Sequence, residues 1–162
     1  MKSQLTKYIN ECSYKLKNIG IKTGNIINIK INDRATRRFG CCIIKDNGYE
    51  IEISKFILGD INKLTNTIYH ELLHTVPGCF NHGNRWKQLV NKVNSAYSTN
   101  ISRASSKIPE TLKNEILKRA KYEVICKSCG TKIYRQRTSK LITHTDRYKC
   151  GKCEGELEVY VV

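Results

Sequence analysis

The residues best suited to chemistry in this chain form the stretch Tyr69-His70-Glu71-Leu72-Leu73-His74. Two histidines four residues apart lie one above the other on one face of a helix, because a helix has 3.6 residues per turn. Two imidazoles in that position can bind one zinc ion, and the glutamate after the first can activate a water on the metal. His82 follows eight residues after His74 and is a candidate third ligand. The stretch predicts a hydrolytic metal site.

This motif is specific because the chain contains few histidines. With 4 His and 10 Glu among 162 residues, chance predicts roughly 0.006 occurrences of the His-Glu-x-x-His pattern. The competing interpretation is a surface helix that merely contains two histidines. Three of the four histidines fall within thirteen residues of one another, which favours the metal site.

The residues around the motif predict a helix that buries one side. Apolar residues recur at helical spacing along it: Ile61, Leu64, Ile68 and Leu72. This stripe lies opposite the two histidines, so one face can pack on a core while the other faces a cleft. Asp60 is a candidate N-cap, and Pro77-Gly78 ends the helix soon after the motif. The chain can then turn back and present His82 to the same metal.

Other residues compete with His82 for the third position. Cys79 is one, because thiolate binds zinc well. A carboxylate from a later helix, Glu110 or Glu115, is another, although nothing in the local sequence supports it. The remaining histidine, His144, lies far along the chain and is expected to be an exposed loop residue.

A second metal site is predicted near the end of the sequence. Two C-x2-C pairs separated by twenty residues have the spacing of a zinc ribbon, in which one tetrahedral zinc replaces a core: Cys126, Cys129, Cys150 and Cys153. Residues 126–153 contain five Lys, three Arg and one Asp, a net +7 before any thiolate charge. Tyr134 and Tyr148 lie among these basic residues. Such a surface can contact phosphates and stack bases, although a solvated stabilising module is the alternative.

Composition limits the class of protein and its partners. The net charge of +15 favours a polyanionic partner, nucleic acid first, although lysine-rich composition alone can produce such a charge. The chain has no apolar run long enough to span a membrane, and residues 1–20 lack the features of a signal peptide, so we expect a cytoplasmic protein. The four cysteines outside the ribbon are expected to be reduced and mostly buried: Cys12, Cys41, Cys42 and Cys79.

The rest of the sequence predicts an α+β fold. An amphipathic helix ends before Gly20, and strands are expected at 27–31, 37–45 and 49–54, in a mostly antiparallel sheet with a tight turn at Asp46-Asn47-Gly48. A further helix starts at or just after His82 and contains Trp86, which is expected to pack near the site. A shorter helix opens at Pro109. The predicted domains are a metal-binding domain, a linker with a short helix, and a ribbon: 1–97, 98–121 and 122–162.

The order of these parts resembles the SprT-like family, whose eukaryotic members include Spartan. The resemblance runs from the leading helix and sheet through His70-Glu71-x-x-His74 and His82-Gly83-x-x-Trp86-Lys87 to the four-cysteine ribbon. It implies a zincin-like metalloprotease domain with His70, His74 and His82 as ligands of a catalytic zinc and Glu71 as the catalytic base. The ribbon cysteines would hold a structural zinc. Spartan-type members cleave proteins crosslinked to DNA, and DNA binding activates them.

The resulting hypothesis is a zinc metallopeptidase associated with DNA that hydrolyses DNA-bound or DNA-crosslinked proteins. Two alternatives remain open. One is a non-catalytic nucleic-acid-binding protein, related to transcription, whose histidine site is structural or vestigial. The other is a general peptidase that never meets DNA.

Overall fold

The chain divides into two compact units, Met1–Pro109 and Glu110–Val162. The computed structural model describes residues 2–36, 38–103 and 110–162, except for the side chains of 110–112. Both units combine helices with a three-stranded sheet, so the predicted α+β class is confirmed. Over these residues, no helix combines the length and the apolar character that crossing a membrane requires.

The first unit begins with the predicted amphipathic helix. Helix α1 spans Lys2–Asn18, and its buried residues recur every three or four positions: Leu5, Ile9, Cys12 and Leu16. Gly20 follows the helix with a φ of +76°, a left-handed conformation that glycine adopts without strain. Its N–H donates to the carbonyl of Lys17 and so satisfies one of the last acceptors of the helix.

Three strands form the sheet of this unit: β1 (Ile26–Asn32), β2 (Gly40–Lys45) and β3 (Gly48–Ser54). Strands β2 and β3 pair in an antiparallel hairpin, as predicted from the tight turn. Strand β1 pairs with β3 in parallel, so the prediction of an antiparallel sheet is wrong for this pair. The sheet order is β1-β3-β2, so β1 lies beside β3 rather than beside β2, which follows it in the chain. Strand β3 has the most buried side chains, which favours the central position.

Helix α2 spans Ile61–His74 and contains the histidine motif. The Asp60 side chain accepts from the Lys63 N–H at 3.0 Å, so the predicted N-cap is confirmed. Leu64, Ile68 and Leu72 are buried as expected. Ile61 is 59% exposed, so the predicted stripe does not include it. The first turn of the helix lies at the edge of the core, where side chains are solvated on most sides.

Helix α3 spans Asn84–Tyr97 and has Gly83 at its N-cap position. It starts two residues after His82, as the sequence predicts, and it buries Trp86, Val90 and Val93. The chain then continues through residues 98–103. The predicted helix opener Pro109 lies outside the described residues.

The second unit contains the predicted small β module. Helix α4 (Glu110–Lys118) precedes β4 (Tyr122–Cys126), β5 (Lys132–Arg135) and β6 (Leu157–Val161). Strand β4 is central and pairs with both neighbours in antiparallel fashion. The connection from β5 to β6 contains a single-turn helix, α5 (Lys140–Thr143). His144 follows α5 and is exposed, as expected for a loop residue.

Candidate active site and metal centres

Three histidines meet between helix α2 and the loop that follows it. His70 and His74 lie one turn apart on α2, with ring centres 4.9 Å apart. The ring of His82 lies 5.0 Å from that of His70 and 4.7 Å from that of His74. One nitrogen from each ring lies within 4.8 Å of the other two, so the three side chains can hold one metal ion.

The spacing of the ring nitrogens fits zinc. The Nε2 atoms of His70 and His82 are 3.0 Å apart. In a tetrahedral site with Zn–N bonds of about 2.0–2.1 Å, two ligand nitrogens lie roughly 3.3 Å apart. Three histidine ligands occupy three positions and leave the fourth available for water or substrate, which is the arrangement of catalytic rather than structural zinc sites.

Backbone carbonyls hold the other nitrogen of two of these rings. His70 Nδ1 lies 3.0 Å from the carbonyl oxygen of Ser102, and His74 Nδ1 lies 2.9 Å from that of Cys79. A carbonyl can only accept, so each Nδ1 must be the protonated nitrogen and donate. In a neutral ring this leaves Nε2 with a free lone pair for a metal. The surroundings of His70 and His74 therefore select the tautomer that a metal ligand needs.

The indole of Trp86 supports all three rings from one side. Its centre lies 4.9 Å from the ring centre of His70, 5.7 Å from that of His74 and 4.6 Å from that of His82. Trp86 is buried, which agrees with the predicted packing role near the site. Phe80 also lies near the site, with its ring centre 6.3 Å from that of His74, but unlike Trp86 its side chain is 52% exposed.

All three histidines are neutral at neutral pH. Burial, followed by the neighbouring His74 and His82, lowers the pKa of His70 to about 4. Burial also lowers the pKa of His74 and is the largest cause for His82, where the positive charge of Arg103 contributes as well. Neutral imidazole is the form that binds metals, so the binding of a metal ion by these histidines requires little proton release.

Glu71 is a buried carboxyl on the helix that supplies two of these histidines. Its side chain lies on α2 between the two histidines in sequence, and only 6% of the residue is exposed. Burial raises the pKa of Glu71 to about 7, while a hydrogen bond from the Cys42 backbone and the charge of Arg38 oppose this increase. A carboxylate whose pKa is close to neutrality is well suited to accept and return a proton near pH 7.

The structure separates the candidates for the third metal-binding position. His82 belongs to the histidine group, whereas Cys79 does not and contributes its backbone carbonyl to His74. Glu115 forms ion pairs with Lys118, the last residue of α4, at 3.9 Å and with Arg119, which follows the helix, at 3.3 Å. The side chain of Glu110 lies outside the described residues.

The four ribbon cysteines form a second possible metal centre. Their sulfur atoms all lie within 4.8 Å of one another, with Cys126 Sγ 3.5 Å from Cys153 Sγ and Cys129 Sγ 3.7 Å from Cys150 Sγ. These distances exclude disulfides, whose S–S bond is about 2.05 Å, and they suit a tetrahedral site with Zn–S bonds of about 2.3 Å. Hydrogen bonds, of which the one from the Thr131 hydroxyl is the largest contribution, lower the pKa of Cys129 to about 6, and backbone hydrogen bonds from Lys152 and Cys153 lower that of Cys150. Despite a backbone hydrogen bond from Gly155, hydrogen bonds with Cys129 and Cys126 raise the pKa of Cys153 to about 12, so a metal at this site would have to displace the proton of that thiol. Thiolate is the form that binds zinc.

The remaining cysteines match their predicted structural role. Cys12, Cys42 and Cys79 are buried, Cys41 is half-buried, and none forms a disulfide. Burial raises the pKa of all four thiols, to about 11 for Cys12 and about 12 for Cys42. They are therefore unreactive thiols rather than nucleophiles.

Sequence reasoning missed several groups at the histidine centre. The carbonyls of Cys79 and Ser102 act through the backbone, so residue type gives no signal of their role. Ser102 is distant in sequence from His70, and only the course of the chain after α3 brings them together. The charge of Arg103 reaches His82 for the same reason.

Comparison with known proteins gives consistent results. The model of the SprT-like family matches residues 4–112. The protein named "Protein SprT-like" from Bacillus subtilis (strain 168) is 26% identical over 132 residues, which cover 78% of this chain and 79% of that protein. A protein of the same name from Bacillus cereus is also 26% identical over 132 residues, with 78% of each chain covered.

Proposed function

Because the chain belongs to the SprT-like family, we propose that it is a zinc-dependent metalloendopeptidase associated with DNA. Its substrates are DNA-bound or DNA-crosslinked proteins, and its first unit acts as a zincin-like catalytic domain. The observation on which the proposal rests is the cluster of three histidines, together with the buried carboxyl of Glu71 on the helix that supplies two of them. A purely structural metal site has no use for a buried acid whose pKa is raised on that same helix.

The proposed ligands of the catalytic zinc are His70, His74 and His82. The donor set supports this assignment, because the Nδ1 atoms of the first two donate to carbonyls and leave Nε2 for the metal. When bound, zinc supplies a Lewis acid that lowers the pKa of a water and polarises the scissile carbonyl. The buried indole of Trp86 packs against all three rings and so restricts their movement.

Glu71 is the proposed general base. Its carboxylate takes a proton from the attacking water and later gives it to the leaving amine. Burial favours this exchange, because the raised pKa of Glu71 lets its carboxyl hold the proton for a time near neutral pH. The backbone N–H of Cys42 orients the carboxylate from the side of strand β2.

Association with DNA is supported by charge. The whole chain has a net charge of +15, and the exposed ribbon residues around Tyr148 include Arg147, Lys149 and Lys152. Tyr148 is 38% exposed and can stack on a base. Basic residues near exposed aromatics suit a single strand or a frayed duplex, because phosphates and unpaired bases are then contacted together.

The four ribbon cysteines are the proposed ligands of a structural zinc. All four ligand positions are protein thiolates in this arrangement, which leaves no open position for water. The two proposed zinc ions therefore have different tasks, one catalytic and one structural.

The Glu71→Gln variant tests the catalytic assignment. Glutamine keeps the size of the side chain but cannot accept a proton, so we expect unchanged zinc content and cleavage reduced by about 10²–10⁴-fold. The measurement is cleavage of a protein crosslinked to a DNA oligonucleotide and of the same protein without DNA. The matched control is Glu11→Gln, which removes the same charge from an exposed residue on α1. This variant should cleave like the wild type.

The outcomes separate the competing functions. Cleavage that DNA stimulates and Glu71→Gln removes supports the proposal. Cleavage that is indifferent to DNA indicates a general peptidase. Tight DNA binding without cleavage by the wild type indicates a non-catalytic nucleic-acid-binding protein. Normal turnover by Glu71→Gln contradicts the role of Glu71 as the base.

A further inference from the structure

Strand β2 passes so close to helix α2 that one of its residues has no room for a side chain. A Cβ atom built on Gly40 would lie 2.6 Å from Glu71 Oε1 and 2.7 Å from Glu71 Cγ. It would also lie 2.7 Å from Thr67 Cγ2. Thr67 and Glu71 are four residues apart on α2, so they form one continuous wall against the strand. The Glu71 carboxyl occupies the space that any other residue at position 40 would fill.

The same strand also holds Glu71 from its backbone. The N–H of Cys42, two residues after Gly40, donates to the Glu71 carboxylate. Successive residues of a strand point to opposite sides, so positions 40 and 42 have the same orientation. The missing side chain at Gly40 leaves room for the Glu71 carboxyl, and the Cys42 N–H donates to that same carboxyl.

This crowding is not common to all glycines of the chain. A Cβ on Gly59 would have no atom within 4 Å. A Cβ on Gly24 would be crowded, but by Tyr49 and the carbonyl of Thr75 rather than by Glu71. These two positions supply matched controls, one for an uncrowded glycine and one for a crowded glycine that does not contact the carboxyl.

We propose that Gly40 is a positioning residue for Glu71, and that its lack of a side chain lets the β2 backbone fix the carboxylate in its catalytic place. This inference rests on the proposed function of Glu71 as the base. A side chain at position 40 must push the carboxylate away from the Cys42 N–H, because 2.6 Å is far below the ordinary contact distance. A displacement of about 1 Å can cost about 10²-fold in rate, since proton transfer depends on geometry.

The test compares Gly40→Ala with Gly59→Ala and Gly24→Ala in the full chain. We expect Gly40→Ala to lower kcat by about 10–100-fold, while KM and the zinc content stay within twofold of the wild type. Gly59→Ala should change nothing. Gly24→Ala should lower the unfolding temperature without a selective loss of kcat. The double variant Gly40→Ala/Thr67→Ser removes the methyl contact with Thr67, so it should regain stability but not kcat.

A second readout does not depend on activity. Hydrogen exchange of the Cys42 amide, followed by NMR, reports whether Glu71 still accepts from it. We expect both Glu71→Ala and Gly40→Ala/Thr67→Ser to accelerate this exchange at least tenfold, with neighbouring β2 amides unchanged. If the wild type shows no peptidase activity, the proposed function fails, and the exchange experiment still decides the positioning claim. Unchanged exchange in these variants, or a Gly40→Ala kcat equal to the wild type, overturns the inference.

Discussion

The three-histidine centre lies in a unit with an apolar core, whereas the four-cysteine centre lies in a unit whose described side chains include almost no buried apolar ones. In Met1–Pro109 the described residues include twenty-two buried apolar side chains. In Glu110–Val162 the described buried apolar residues are Val124 and two of the cysteines themselves, Cys126 and Cys150. A small sheet with so little buried surface cannot offset its conformational entropy without another source of free energy.

The difference indicates what each metal is for. Structural zinc contributes an apparent binding free energy of about 10–16 kcal/mol, and in a module without a core this is folding free energy. The histidine unit has its own core, so the proposed metal there would not be required for folding and its fourth position could serve chemistry. Under the proposal, zinc would stabilise one unit and take part in the reaction of the other.

The largest expected effect is the loss of the ribbon fold when its zinc is lost. Cys126→Ser/Cys129→Ser removes two of four ligands, so the second unit should unfold while the first keeps its structure. NMR amide spectra of the full chain measure both at once, because unfolded residues collapse to a narrow range of shifts. A folded second unit in this variant would contradict the claim that this unit needs zinc to fold.

The matching change at the histidine centre should have a much smaller effect on stability. His82→Ala removes one ligand from a loop, so we expect cleavage to be lost while both units stay folded. The free energy of unfolding of the first unit should fall by no more than about 1–3 kcal/mol. Thermal unfolding measures this value, and cooperative unfolding of the first unit at room temperature would show that its metal is structural after all.

The sequence predicts both centres because their ligands follow local rules. Two histidines at i and i+4 share a helix face, and two C-x2-C pairs have a spacing that zinc requires. The N-cap at Asp60 and the turn before Gly48 follow from local chemistry in the same way. These features do not depend on how distant parts of the chain pack.

The features that the sequence does not predict depend on long-range packing. The position of β1 beside β3, and its parallel direction there, join segments that are distant in sequence and carry no local signal. The carbonyl of Ser102 reaches His70 across thirty-two residues, and it has no side-chain signature. The crowding at Gly40 arises only when α2 lies against β2. Ile61 has helical spacing but lies beyond the core edge.

The smallest expected effect concerns the location of DNA binding. Residues 1–109 contain seventeen Lys and Arg against seven Asp and Glu, a net +10, while residues 110–162 contain twelve against seven, a net +5. The total charge therefore does not by itself assign the DNA to the ribbon. We propose the ribbon because Tyr148 is exposed beside Arg147 and Lys149, so that stacking can add to phosphate contacts. Tyr14 in the first unit is also exposed, so only a comparison of the two units can test this location.

Two triple variants test this location. Arg147→Gln/Lys149→Gln/Lys152→Gln in the ribbon should reduce the slope of log K against log salt by up to about 2–3, since each phosphate contact adds about 0.7–0.9. Lys7→Gln/Lys17→Gln/Lys22→Gln in the first unit removes the same charge and should change the slope by less than one such contact. An equal reduction of the slope in both variants would show that DNA binding depends on overall charge rather than on the ribbon.

The measurement that tests the account most directly is the zinc content of the purified chain by metal analysis. We expect two zinc ions per chain in the wild type and in Glu71→Gln, one in His70→Ala/His74→Ala, and one in Cys126→Ser/Cys129→Ser. A wild type with a single zinc, which is lost with the ribbon cysteines and kept without the histidines, would contradict the account. The histidine centre would then hold no zinc, and the proposed peptidase would have no catalytic metal.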